Sequence, residues 1–412
     1  MTVHAPVLSA DVRLVPLAVE YAVWRRRVIF HAYKWDPQVD DVSTICDHAC
    51  ILSRWAAAHL ERLAEALAAE TMALEGALLE RPDLYASLGL GRKVAAALRQ
   101  APSGNGVRVM RFDFHPVEEP VGWALSEVNS DVPGGFAEAS ALPRLAAAHV
   151  ADARPGADTG NALVAAISRR LGAGARLGFV HATAYADDRQ VMQFLADRFR
   201  AAGFECTLMA PDHLRWRDGQ AVSVAQANPG PIDGVVRFFP ADWLPMLPAS
   251  SGWPGYFSAH TLACNPVHAV LSQSKRNPLV WDTLGVAMPT WRTCLPPTRD
   301  PRTVPWQSDE RWLVKPAFGR VGEGLAWRGG VTAKAWRMAR WNVRLNPRGW
   351  VAQQRFASRP LALNGTQRHL CIGVFTVDGK AAGFYGRLST TTTIDKHAQD
   401  VAILIGEETA CR

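Results

Sequence analysis

Two nearby stretches of the chain, Arg111-Phe-Asp113-Phe-His115 and Glu127-Val-Asn129, carry the residue types of a hard-oxygen site beside a fixed positive charge. Each alternates apolar with polar side chains, so as strands they would set Arg111 and Asp113 on one face, and Glu127 and Asn129 on another. Pairing would then gather two carboxylates, one amide and one guanidinium. Such a set suits a magnesium ion carrying nucleotide phosphates, because magnesium takes carboxylate and carbonyl oxygens and usually keeps phosphate in its shell. An arginine beside it neutralises charge developing on a transferred phosphoryl group. The plainer alternative is a surface hairpin whose charges face water, as most carboxylates do.

A second constellation shifts that balance. Arg311-Trp-Leu-Val-Lys315-Pro316 reads as a strand ending in a lysine, and Gly319, Arg320, Gly322 and Gly324 follow in a loop. Glycines there permit backbone geometry in which amides approach phosphate oxygens, while Lys315 and Arg320 supply charge. The order is neither a Walker A loop nor a dinucleotide fingerprint, and a glycine hairpin without a ligand is the alternative. Gln353 lies in a strand-like run, 349–356, that can serve an adenine edge. Arg387 ends the second strand of a hairpin around Asp378-Gly379, where it closes on the same phosphates or is a plain edge arginine.

The elements that would position these groups follow from pattern. An alanine-rich helix is predicted from Ser43 to about Glu80, with Leu52, Ala56, Leu60, Leu63 and Leu67 at helical spacing and Arg81-Pro82 closing it. After the turn at 133–135, residues 136–150 read as a helix that breaks or restarts at Pro143. Strand 176–181, helix 188–202 and strand 204–209 form a βαβ unit, and 232–239 adds a third strand. Asp187 and Asp188 at that helix start read first as caps, and second as a site for a cationic substrate at the carboxyl edge of the sheet. A helix is expected around or after Lys275, and 296–305 is a linker.

Length and composition bound the rest. At 412 residues, two or three units are expected from a usual size of about 150 residues each. No run of about 18 apolar residues occurs, so no membrane partner is expected. The basic cluster at 25–27 follows the first apolar stretch, the wrong polarity for a secretory signal, so a cytoplasmic location is expected. The seven cysteines are scattered, which argues against zinc or disulfide frameworks, and Cys46 and Cys50 around His48 read as packing on a helix. Net charge is +7, yet the arginines are spread along the chain, so anionic small molecules rather than nucleic acid are the expected partners.

The order Arg-Phe-Asp, Glu-Val-Asn-Ser-Asp-x-Pro, Leu-Ser-x-x-Lys, Val-Lys-Pro-x-x-Gly-Arg-x-Gly, a glutamine-bearing strand and a Gly-x-x-x-Gly-Arg hairpin resembles the synthetase domain of glutathionylspermidine synthase and its relatives, over about 43–405. That resemblance implies an α/β, circularly permuted ATP-grasp fold: an N-terminal helical region over 1–105, metal-binding strands over 106–170, an inserted three-layer α/β domain over 171–265, and a nucleotide-binding part over 266–412. It implies a carbon–nitrogen ligase that uses ATP and Mg2+ to join a carboxylate to an amine through an acyl phosphate. Asp113, Glu127 and Asn129 take the place of the metal ligands, and Arg111 that of the arginine on the transferred phosphoryl group. Lys275 and Lys315 resemble the ATP-contacting lysines, Gly319 to Gly324 the mobile phosphate loop, Gln353 the adenine contact, and Arg387 a late phosphate-binding arginine. Ser130 and Asp131 occupy the loop that meets the carboxylate substrate in relatives. Val321 stands where the family commonly has glutamate, and Glu323 comes two later. The amidase domain of some relatives has no counterpart here, so hydrolysis of the product is not expected. A non-catalytic binding module of the same fold and a small-molecule phosphotransferase are the other readings.

Overall fold

The computed structural model describes residues 11–101, 106–118, 122–320 and 322–407. Strand β1 (Val12–Pro16) and helix α1 (Tyr21–His31) open it, and β2 (Ile45–Leu52) runs directly into the long helix α2 (Arg54–Leu79). Ser53 sets that junction, its hydroxyl accepting the Ala56 amide at 3.0 Å. The helix expected from Ser43 therefore starts at Arg54. Residues 45–52 are buried on both faces apart from Asp47, and burial on both faces erases the alternation by which a strand is recognised. Cys46 and Cys50 accordingly lie on a strand, packed in the core that α2 covers. Cys46, Asp47 and His48 are close enough for one ion, but burial pushes the Cys46 thiol up to about 11, and Asp47 already holds His48 Nδ1 at 2.6 Å. A metal takes the thiolate, so an ion there would have to displace that proton and the His48–Asp47 contact.

Strands β3 (Val109–Pro116) and β4 (Trp123–Asn129) come next, then helices α3 (Phe136–Ala147), with Pro143 inside it, and α4 (Thr159–Ser168). The βαβ unit follows as β5 (Arg176–Val180), α5 (Ala186–Ala201) and β6 (Glu205–Met209), with β5 and β6 parallel. Beyond it come β7 (Gly234–Arg237) and β8 (Leu262–Cys264). Short helical turns flank Lys275 on both sides, and 298–299 within the expected linker is a strand. The last elements are β9 (Trp312–Pro316), α6 (Ala333–Leu345), β10 (Trp350–Gln354), β11 (Thr366–Val377), β12 (Lys380–Ser389) and β13 (Gln399–Gly406). Asp378 and Gly379 join β11 to β12 with φ of 48° and 79°, the paired left-handed conformations of the tight hairpin turn that Asp-Gly favours.

These elements make a mixed α/β fold with several sheets. The largest follows the order β1-β2-β13-β12-β11-β3-β4. Ile403 belongs to the core that holds Leu60 and Leu67 of α2, whereas its neighbour Leu404 belongs to the core that holds Phe136 of α3 and Leu163 of α4. Successive strand residues point to opposite faces, so this sheet is sandwiched between two cores. A second, parallel sheet has the order β6-β5-β7-β8 with 106–107 at its end. A third is small and antiparallel, with β10 between 298–299 and β9, and α6 packs against it through a separate core of Trp306, Trp312 and Val314.

Candidate active site

The register of β3 and β4 sets Arg111 opposite Asn129 and Asp113 opposite Glu127, the gathering expected from their alternation. Arg111 grips Asp113 with a fork, Nε to Oδ1 at 2.7 Å and Nη2 to Oδ2 at 2.9 Å, while Nη1 donates to the Gly134 carbonyl at 2.6 Å. Asn129 Nδ2 donates to Asp113 Oδ2 at 3.0 Å. The fork leans on Tyr385, with the guanidinium carbon 5.0 Å from the ring centroid. On the neighbouring β11, Gly373 pairs with Asp113, and a Cβ there would sit 2.7 Å from Arg111 Cδ and 2.9 Å from Asp113 Oδ1. Only glycine leaves that floor open, a requirement invisible before the strands are paired.

The lysines arrive from elsewhere in the chain. Lys275 Nζ lies 3.1 Å from Glu127 Oε2 and donates to the Gly319 carbonyl at 2.6 Å, tying the glycine loop to the acidic strand. Lys315, at the end of β9, donates to the Ser126 carbonyl at 3.0 Å. Burial pulls its ammonium down to about 8, with Lys275 adding to the fall and Glu127 opposing it. Burial raises Glu127, but Lys275 and Lys315 outweigh it and hold the carboxyl at about 2. Glu127 is therefore ionised at any working pH.

All these groups open onto one cavity of about 1040 Å3, which Gly319, Arg320, Gly322, Gln353 and Arg387 also line. Gln353 is buried and spends Nε2 on Thr298 Oγ1 at 2.9 Å. Arg387 donates through Nη2 to the Asp395 carbonyl, and its buried Nε has no partner among the described residues. Arg320 reaches Asp242 across the cavity. Val321 lies outside the described residues.

Ser130 and Asp131 differ from the expectation. Both are fully buried and neither lines the cavity. Their amides donate to Gln273 Oε1 at 2.9 Å, and Asp131 accepts from Arg237 Nη2 at 2.5 Å and from the Ala241 amide at 2.8 Å. A carboxylate without solvent needs such a partner, so Asp131 joins β4 to β7 from the interior rather than facing a substrate.

Of the two readings of Asp187 and Asp188, capping is the one the structure departs from. The cap position of α5 is Tyr185, with no side-chain capping bond, and both aspartates stand in the first turn facing the same cavity. Burial pushes the Asp188 carboxyl up to about 6. Asp36, Gln38 and Glu138 line that cavity too, as does Lys34, which pairs with Glu138 at 3.0 Å and Asp400 at 2.8 Å. Nothing in the spacing of 34–38 marks this role; it arises because α1 delivers the segment against α3 and β13.

Asp113 and Glu127 supply carboxylate oxygens, and Asn129 Oδ1 accepts no hydrogen bond among the described residues, so the donor set fits a hard divalent cation. The carboxylates are neutralised by Arg111 and Lys275.

A family model described as glutathionylspermidine synthase preATP-grasp matches residues 18–405. Among solved structures, a glutathione synthetase like-effector from Globodera pallida, in apoform, is similar with a TM-score of 0.63 at 11% identity, covering 93% of this chain and 97% of that one. A putative gamma-glutamylcysteine synthetase from Methylobacillus flagellatus aligns with a TM-score of 0.45 at 12% identity, covering 80% and 88%. The first likeness establishes a shared fold. No curated protein matches the sequence.

Proposed function

Since the chain belongs to the glutathionylspermidine synthase preATP-grasp family, we propose that it is an ATP-dependent carboxylate–amine ligase on a circularly permuted ATP-grasp fold. A substrate carboxylate oxygen bonds to the γ-phosphorus of ATP as ADP leaves; an amine nitrogen then attacks the acyl carbon as phosphate leaves, and an amide remains. In both steps negative charge gathers on phosphoryl oxygens, and fixed cations stabilise it best in a site that excludes water.

Arg111, held in place by its fork to Asp113, presents positive charge to the transferred group, and Arg387 is a further arginine of the cavity wall that can do the same. Lys275 and Lys315 hold the nucleotide phosphates under the glycine loop, and Gln353 meets the adenine edge. Magnesium, held by Asp113, Glu127 and Asn129, would neutralise phosphate charge and orient the γ-phosphate. Asp36, Asp187 and Asp188 offer carboxylates to a protonated amine, and Asp188, with a carboxyl raised to about 6, can take up its proton near neutral pH.

One observation carries the reading. Acidic strands at 109–129 and lysines at 275 and 315, remote in sequence, share a single cavity, and Lys275 sits 3.1 Å from Glu127. A surface hairpin needs no such meeting. The carboxylates of the amine side favour a ligase, whose second substrate is an amine, over a phosphotransferase, which need not bind one.

Incubating the protein with ATP, magnesium and a panel of carboxylic acids and amines tests it. Substrate-stimulated ADP release that Asp113→Ala abolishes supports the ligase. ATP binding by calorimetry with no turnover across the panel points instead to a binding module. A phosphorylated acid or alcohol as the final product, read by mass, points to the phosphotransferase.

A further inference from the structure

Helix α6 has two apolar ridges and the fold uses one. Ala339 and Val343 are buried against Trp306, Trp312 and Val314, and Trp336 packs edge-on to Trp306 with ring centroids 5.4 Å apart. Met338, Trp341 and Leu345 recur at i, i+3 and i+7, which puts them on the side nearly opposite that core. They are 53%, 58% and 65% exposed, and none of them lines the cavity. Solvated helix surface is normally polar, so an aligned Met, Trp and Leu on the outer side calls for an occupant.

Charge says what kind. Lys334, Arg337, Arg340 and Arg344 are exposed on α6, and Arg348 follows its end. None of the five pairs with an acidic group among the described residues. From Gly324 to Val377 the chain carries nine Lys and Arg and no Asp or Glu. The chain through α6 and beyond it is thus of one sign in sequence, and the charges exposed on α6 itself are all basic, whereas ordinary protein surface intersperses both.

We infer that α6 docks this protein onto an anionic lipid surface. Met338, Trp341 and Leu345 enter the headgroup layer, while Arg337 and Arg344 beside the ridge meet lipid phosphates. A basic amphipathic helix lying in the interface with Trp and Leu on its buried side is the usual device for such binding. The ridge is convex, and a bilayer accepts it without needing a matching groove. A protein partner would have to supply both a groove and a row of carboxylates. No helix among the described residues is long and apolar enough to cross a membrane, and lying on one requires none. The expectation of no membrane partner rested on that missing span, so it does not reach this face.

Cosedimentation of the full chain with vesicles of phosphatidylcholine alone, and of phosphatidylcholine mixed with phosphatidylglycerol, tests the inference. Binding to the anionic vesicles should exceed binding to the neutral ones by about ten-fold or more, and should fall as salt is raised past physiological strength. Arg337→Glu with Arg344→Glu should abolish it. Met338→Ser, Trp341→Ser and Leu345→Ser together should weaken it about ten-fold, with the thermal midpoint unchanged because these side chains face outward. Arg26→Glu, an exposed basic position on α1, should leave it intact. The inference is overturned if the two vesicle types bind alike or not at all, or if the α6 variants bind like the parent. It is overturned equally if Arg26→Glu weakens binding as much as the α6 reversals do. Capture by soluble polyglutamate that matches vesicle binding and ignores the ridge variant would assign the face to an acidic protein instead.

Discussion

Arg320 Nη2 stands 2.5 Å from Asp242 Oδ1, and its guanidinium carbon lies 4.8 Å from the centroid of the Trp243 ring. Arg320 belongs to the glycine loop between β9 and α6, whereas Asp242 and Trp243 follow β7 in the parallel sheet. The loop is thereby latched over the cavity from two sides, since Lys275 also holds the Gly319 carbonyl. Half-buried pairs of this kind contribute about 1 kcal/mol or less, a factor of roughly five in an equilibrium. Asp242→Asn should therefore lower kcat/KM for ATP by about five-fold and speed proteolysis within 319–324, with the thermal midpoint nearly unchanged. Steady-state ADP release and limited proteolysis check it; parental rates in both would show that the latch contributes nothing to closure.

Lys315 gives a pH dependence of definite sign. Its ammonium titrates at about 8 in the fold, because burial and then Lys275 disfavour the charge, against 10.5 for an ordinary lysine. Between those values the unfolded chain binds more protons than the folded one, so stability of the ligand-free protein rises with pH across that window. ATP affinity should move the other way, weakening as the ammonium is lost above about pH 8. Thermal midpoints and calorimetric titrations over that range should show opposite slopes, and Lys315→Met should flatten both.

The site was legible where chemistry and periodicity coincide. Arg111, Asp113, Glu127 and Asn129 alternate with apolar neighbours, which predicts the pairing that β3 and β4 make, and Lys315 ahead of its glycines opens onto the same cavity. Legibility failed where burial decides. Residues 45–52 carry no alternation because both faces are covered, and α2 was extended over them. Ser130 and Asp131 look like available polar groups in sequence, but an aspartate with Arg237 behind it is an interior tie. Lys34, Asp36 and Glu138 join the cavity only through long-range packing, which no local pattern encodes.

Asp131 should prove structural. It and Arg237 are both buried, and removing one partner of a buried pair strands the other charge at about 3–5 kcal/mol. Asp131→Leu should lower the thermal midpoint steeply, and Asp131→Leu with Arg237→Met should recover most of the loss, because an apolar pair has no charge to strand. A double variant as unstable as the single one would mean that Asp131 matters through the Ala241 amide instead.

Asp188 should trade stability for binding. Burial raises its carboxyl to about 6, above the 3.8 of an exposed aspartate, so between those values the folded state holds the proton that the unfolded state has released. Stability contributed by this group is therefore complete below about pH 4 and declines as pH climbs through 6. Asp188→Asn keeps the shape and removes the buried charge, so it should raise the thermal midpoint at pH 7 and leave it unchanged at pH 4. The carboxylate that costs stability is the one a protonated amine would meet, and a site that keeps such a cost does so for a ligand. The same variant should accordingly raise KM for the amine about ten-fold or more while leaving KM for ATP alone, since the lost partner is a charged hydrogen-bond acceptor. Thermal melts at the two pH values and substrate-dependent ADP release measure both halves. A variant that gains stability but keeps its amine KM would leave Asp188 a buried carboxylate with no part in amine binding.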